Sequence, residues 1–222
     1  MKSKSPPLSV RRSGFSLLEL LTVLAITAVL AVMTIPSLSG LQRGNTVTGN
    51  LTVLSGLLEQ ARQTAVAKNT FVWVAFSDAP ADAVDGGVAV ALIGATGGVD
   101  SFGWNNASTS LSNYSDMELI APVRVLKGVK LTGVSAISPN GLPPEPTANL
   151  AALESIDFQV PFGGNSRHFT KALQFSPTGE ARVKTFRRTI EFGLVPATGD
   201  AANGAVLRLA GLTGKTSVYR AE

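Results

Sequence analysis

Cysteine is absent from the 222 residues, so neither a disulfide frame nor a thiolate metal site can form. Histidine occurs once, as His168. A hydrolytic triad built on it needs a nucleophile and an orienting acid, and the chain has no nucleophile elbow of the G-x-S-x-G kind. A satisfied or exposed histidine is the better reading. Asp78, Asp82 and Asp85 fall together in DAPADAVDGG, but without the ligand spacing of an EF-hand. The run Gly94–Gly98 lacks the lysine and the following helix of a phosphate loop, and reads as a turn. The sequence therefore offers no catalytic set, no metal centre and no cofactor site, and a non-enzymatic protein is expected.

Charge is scarce too, at 15% of residues with a net of +4. The first 14 residues, MKSKSPPLSVRRSG, hold Lys2, Lys4, Arg11 and Arg12 and no acid, while the remainder carries 15 basic against 15 acidic residues. The basic character thus belongs to the leader. Beyond it, residues 69–166 have a net charge of −6 and residues 167–222 one of +5. Such an asymmetry can draw one subunit to the next. Mutual neutralisation within one fold is the simpler reading.

What the chain has in abundance is one apolar run. From Phe15 to Ile35 there are 21 residues with a single charge, Glu19. As a helix this run covers roughly 30 Å, the hydrocarbon thickness of a bilayer. Positive charge before it places the N-terminus on the cytoplasmic side. A secretory signal has a shorter apolar core of about 7–15 residues followed by a small-residue cleavage site. An ordinary signal anchor has no use for a glutamate, which costs about 3 kcal/mol or more in a spanning helix and is kept for a functional partner.

Basic residues, then Gly14-Phe15-Ser16-Leu17-Leu18-Glu19-Leu20, then the apolar run, resemble the N-terminus of a type IV prepilin or pseudopilin. The resemblance implies that a membrane prepilin peptidase cuts between Gly14 and Phe15 and methylates the new amine of Phe15. It implies that Glu19 pairs with that amine, commonly a neighbouring subunit's, during filament assembly. Pro36 falls where many pilins have a helix-kinking proline. The implied partners are the peptidase, other pilin or pseudopilin subunits, an inner-membrane assembly platform and, before assembly, membrane lipid. The implied location is the inner membrane, single-pass, with the head periplasmic, and then a periplasmic or extracellular filament.

After Pro36 and several glycines, Leu51, Leu54, Leu58, Ala61 and Ala65 recur at spacings of three and four, the apolar face of an amphipathic helix. Asn69 is its stop. Residues 69–222 read as β-rich. The expected strands are Thr70–Ser77, Val88–Gly94, Met117–Leu126, Val129–Val134, Ile156–Val160, Ala172–Phe175, Arg182–Phe186, Thr189–Val195, Ala205–Ala210 and Thr216–Arg220. Gly97–Ser115 and Ser138–Asn149 read as exposed loops. The expected fold is α+β, a long N-terminal helix packed on a mainly antiparallel β-sheet head. It divides into a leader at 1–14, a helix at 15–68 with its transmembrane segment at 15–35, and a head at 69–222. Ala61-Arg62 ahead of a strand, Phe175-Ser176-Pro177-Thr178-Gly179, and Leu212-Thr213-Gly214-Lys215 resemble the helix exit and turns of the GspH/FimT group of minor pseudopilins. Lys215 departs from that group, where arginine is commoner.

Arg182, Lys184, Arg187 and Arg188 form the one basic cluster, a candidate nucleic-acid contact. Strand alternation would set Arg182, Lys184 and Phe186 on one face. A solvated edge that discourages strand-to-strand aggregation accounts for the cluster at least as well and is favoured. The leading reading is a pilin-like structural subunit, a minor pseudopilin of a type IV pilus or type II secretion pseudopilus. The alternative is a DNA-binding minor pilin of an uptake filament.

Overall fold

The computed structural model describes residues 16–77, 87–98, 100, 103–104, 109–162, 165–198 and 203–221, without the side chains of 31–45, Thr109 and Asn165. By internal packing the chain divides into Met1–Leu41 and Gln42–Glu222. One helix, α1 (Leu17–Lys68), contributes to both. Its backbone stays helical through Pro36 and the glycines Gly40, Gly44 and Gly49.

In the larger unit α1 is amphipathic, as its period requires. Leu51, Leu54, Leu58, Ala61 and Ala65 are all buried, joined by Val47 and Leu57. The helix ends in a Schellman arrangement. Asn69 takes a left-handed φ of 48°, a conformation that asparagine tolerates better than most residues. Its amide donates to the Val66 carbonyl (3.3 Å), and that of Thr70 to Ala65 (3.0 Å), satisfying carbonyls the helix itself cannot.

Among the described residues twelve strands follow: β1 (Val72–Ser77), β2 (Gly87–Ala95), β3 (Thr109–Ser110), β4 (Met117–Lys127), β5 (Val129–Thr132), β6 (Leu150–Ala151), β7 (Glu154–Phe162), β8 (Asn165–Phe175), β9 (Ala181–Arg182), β10 (Thr189–Pro196), β11 (Ala205–Ala210) and β12 (Thr216–Arg220). They form two sheets. The first runs β3-β7-β8-β1-β2-β4 with β9 also paired to β8; the second runs β12-β11-β10-β5 with β6 on β10. Pairing is antiparallel except for β3 with β7 and β6 with β10, which are parallel. The buried face of α1 shares one core with Val72, Val74 and Phe76 of β1, Leu173 and Phe175 of β8, and Ile190, Phe192 and Leu194 of β10. The helix is therefore the common packing partner of both sheets. The other face of the first sheet is covered in part by Trp104, whose ring lies 4.4 Å from that of Trp73.

Several expectations need correction. The strand expected over Arg182–Phe186 ends at Arg182. Residues 183–188 leave the first sheet to enter the second, so alternation does not govern them. Val129–Val134 stops at Thr132, and a 3-10 turn follows at Val134–Ala136. The loop expected at Gly97–Ser115 contains β3, whereas Ser138–Asn149 is a loop with no buried residue, as expected, tied down by a bridge from Pro139 to Ala221. The acidic residues Asp78, Asp82 and Asp85 lie outside the described residues.

Candidate functional site

The helix begins at Leu17 because Ser16 caps it. The Glu19 amide donates to Ser16 Oγ (3.2 Å) and to the Ser16 carbonyl (3.1 Å). Ser16 and Glu19 stand at capping-box spacing, and a carboxylate in the first turn suits the positive end of the helix dipole. Sequence reasoning about the membrane cost of Glu19 missed this local role. The S-x-x-E spacing was the available signal. Gly14 and Phe15, the expected cleavage and methylation positions, lie outside the described residues.

From Leu17 to Leu30 every side chain of α1 is exposed, including Leu18 (74%), Leu21 (57%) and Ile26 (60%). The two threonines turn their hydroxyls inward: Thr22 donates to the Glu19 carbonyl (2.9 Å) and Thr27 to that of Val23 (2.9 Å). The hydroxyls of the two threonines are thus spent on the helix's own backbone, which an apolar environment demands. Glu19 is the only charge it presents. Among the described residues no helix is long and apolar enough to cross a membrane. The span expected over 15–35 includes Phe15 and the side chains of Ala31–Ile35, which lie outside those residues.

The three head motifs singled out in sequence meet in space. Arg62 of α1 is fixed by Glu59, which accepts from Nε (2.9 Å) and Nη2 (2.6 Å). These bonds hold the Glu59 carboxyl below its usual range and raise the guanidinium above its own. The Arg62 stem lies against two turns. In one, Gly179 (φ 85°) closes the Ser176–Gly179 turn through its amide to the Ser176 carbonyl (2.9 Å). In the other, Gly214 (φ 64°) approaches so closely that an added Cβ would lie 2.4 Å from the Gly179 oxygen and 2.8 Å from Arg62 Cδ. Only glycine meets both the conformation and the space.

The basic cluster divides. Arg182 donates to Gln174 Oε1 (2.7 Å) and lies over the Phe71 ring at 4.6 Å. With Lys184 and Phe186 it borders a hollow that also holds Asp100 and Glu180. Arg187 donates to the Ala148 carbonyl (3.2 Å), and Arg188 pairs with Glu145 at 3.9 Å. His168 faces Asp157 at 3.3 Å. One cation of the basic C-terminal part, Arg188, is thus matched by an acid of residues 69–166, Glu145, while Arg182 and Arg187 are held by neutral acceptors. Among the described residues no cluster of His, Asp or Glu could hold a metal ion.

Comparison with known proteins gives one family match and one solved structure. Residues 10–35 match the prokaryotic N-terminal methylation motif. No curated protein matches the chain. The type IV minor pilin FimU of Pseudomonas aeruginosa strain PAO1 is 14% identical, with a TM-score of 0.39, over 78% of this chain and 88% of FimU. The matched segment contains Gly14, Phe15 and Glu19 and runs to the end of the expected span. The chain thus carries the N-terminal methylation motif at residues 10–35, on a protein whose N-terminal helix leads into a mainly antiparallel β head.

Proposed function

We propose that the chain is made as a prepilin and works as a pilin-like structural subunit, a minor pseudopilin of a type IV pilus or type II secretion pseudopilus. The observation that carries this is the match of residues 10–35 to the methylation motif. The run of exposed apolar side chains with Glu19 as its one charge supports it. In this reading residues 1–14 are removed by the prepilin peptidase and Phe15 becomes the methylated N-terminus. The helix spans 15–68, anchors through 15–35 in the inner membrane with the head (69–222) periplasmic, and bends at Pro36. An inner-membrane assembly platform then moves the subunit from lipid into a filament of its kind.

The chemistry is that of a buried ion pair. An α-amine has a pKa of about 8 and is mostly protonated at neutral pH, and a methyl leaves it cationic. In an apolar layer the amine and the Glu19 carboxylate offset each other's desolvation, and removing either strands its partner. The alternative, DNA binding in an uptake filament, draws less support, because Arg182, Arg187 and Arg188 have partners within the head.

Glu19→Ala tests the pairing in cells that assemble the filament. Leader removal should proceed as in the parent, while the subunit should vanish from the sheared filament fraction and accumulate in the membrane. Normal incorporation of the variant would contradict the assembly role of Glu19.

A further inference from the structure

The second sheet has a notch. Strand β11 covers one edge of β10 along Thr189–Leu194. The opposite edge is shared: β6 pairs Thr189 and Ile190, and β5 pairs Gly193–Pro196. Glu191 and Phe192 are left between them with no strand partner on that side among the described residues. A cavity of about 440 Å³ opens there, walled by Leu131, Val134, Leu150, Leu153 and Phe192. That size falls within the roughly 300–1,000 Å³ of small-molecule sites, which combine apolar walls with a few placed polar groups.

Two charged residues line this cavity, and they differ in state. Glu191 is buried and bound to Arg208, which also donates to the Pro143 carbonyl (2.8 Å). Its negative charge is therefore already answered. Lys171 reaches in from β8 and donates to the Ser155 hydroxyl (2.8 Å). An ammonium has three donors, and no carboxylate among the described residues pairs with this one. The cavity thus presents apolar walls and one cation with donors to spare.

We propose that this notch binds an amphiphile with a single anionic headgroup, its aliphatic tail between Phe192 and Leu153 and its head on Lys171. The charge arrangement selects the ligand class. A cationic amphiphile would meet an uncompensated ammonium, and a neutral one would leave the lysine donors unused. The site lies wholly in the larger unit and stands independently of the filament reading.

The test uses the full chain in phosphatidylcholine nanodiscs, labelled by decanoate carrying a terminal diazirine, with adducts mapped by mass spectrometry. Adducts should appear at Gly133–Val134 and Leu150–Leu153. Adducts along Leu17–Leu30 report delivery of the probe and should be equal in every variant. Lys171→Met, which keeps the stem and removes the charge, should lower cavity adducts about tenfold, the worth of one charge-assisted hydrogen bond. Lys171→Arg should retain them. Ala152→Trp, at an exposed residue of the cavity wall, should abolish them by filling the mouth. Cavity labelling unchanged in Lys171→Met, equal labelling by the decylammonium analogue, or adducts confined to Leu17–Leu30 would each overturn the proposal.

Discussion

Leu24 and Leu58 belong to the same helix and meet opposite fates: Leu24 is 57% exposed and Leu58 is fully buried. Around Leu58 the sequence alternates sides. Apolar residues return every three or four positions, and Glu59, Arg62, Gln63 and Lys68 occupy the rest. One face can then be buried on the sheets while the other stays wet. Around Leu24 there is no such alternation, and its neighbours are apolar on every side. A segment apolar all round cannot be satisfied by packing one face, so its partner must surround it. The β head supplies a surface for the second half of α1. In the proposed role, the surroundings of the first half come from outside the chain, as lipid or as like helices.

The largest effect expected from this comparison separates the two leucines. Leu58→Ala should destabilise the head by about 2–5 kcal/mol, the usual cost of a core cavity. Leu24→Ala should leave the head's stability unchanged. Urea denaturation of both variants as full chains, followed by tryptophan fluorescence from Trp73 and Trp104, measures the contrast. Equal losses in the two would show that the halves are not distinct in their packing.

Gly214→Ala should come next, at about 1–3 kcal/mol, the range for overpacking a tight site. Its methyl would press on the Gly179 carbonyl and the Arg62 stem. Gly56→Ala is the matched control on α1, where an added Cβ meets nothing within 4 Å. It should be neutral or slightly stabilising, because alanine is the better helix former. The same denaturation midpoints decide the matter.

A smaller effect follows from Glu59. Its carboxyl is held below the ordinary value chiefly by the hydrogen bond from Arg62. A depressed folded-state pKa means that this contribution is complete above the unfolded value of about 4.3, and is lost as pH falls through the folded one. The side chain is 44% exposed, so the effect should not exceed about 1 kcal/mol. Glu59→Gln should flatten that part of the acid-side stability curve, read as thermal midpoints from pH 6 to pH 3. An unchanged slope would assign the acid sensitivity to other groups.

Much of this was legible in the residues because it rests on local periodicity. The face Leu51–Ala65, the Asn69 stop and most long strands follow from spacing and β-branched content. What escaped was non-local. Strands β3 and β6 have two residues each and exist through parallel pairing with distant strands. Arg182–Phe186 has the composition of a strand, yet the chain there crosses between sheets. Arg62, Gly179 and Gly214 were each visible within a motif, but their contact depends on the packing of α1 and two far-separated turns. At the N-terminus the reverse holds. Gly14, Phe15 and Glu19 are read most clearly from sequence, since their proposed partners, a peptidase and other subunits, lie outside this chain.

The proposed role depends on a new amino terminus being made beside Glu19. Mass spectrometry of the N-terminal peptide, from protein isolated from cells that possess the prepilin peptidase, measures this directly. The account predicts a chain beginning at Phe15 with one added N-methyl group. A chain that retains Met1, or any part of residues 1–14, in those cells would contradict it.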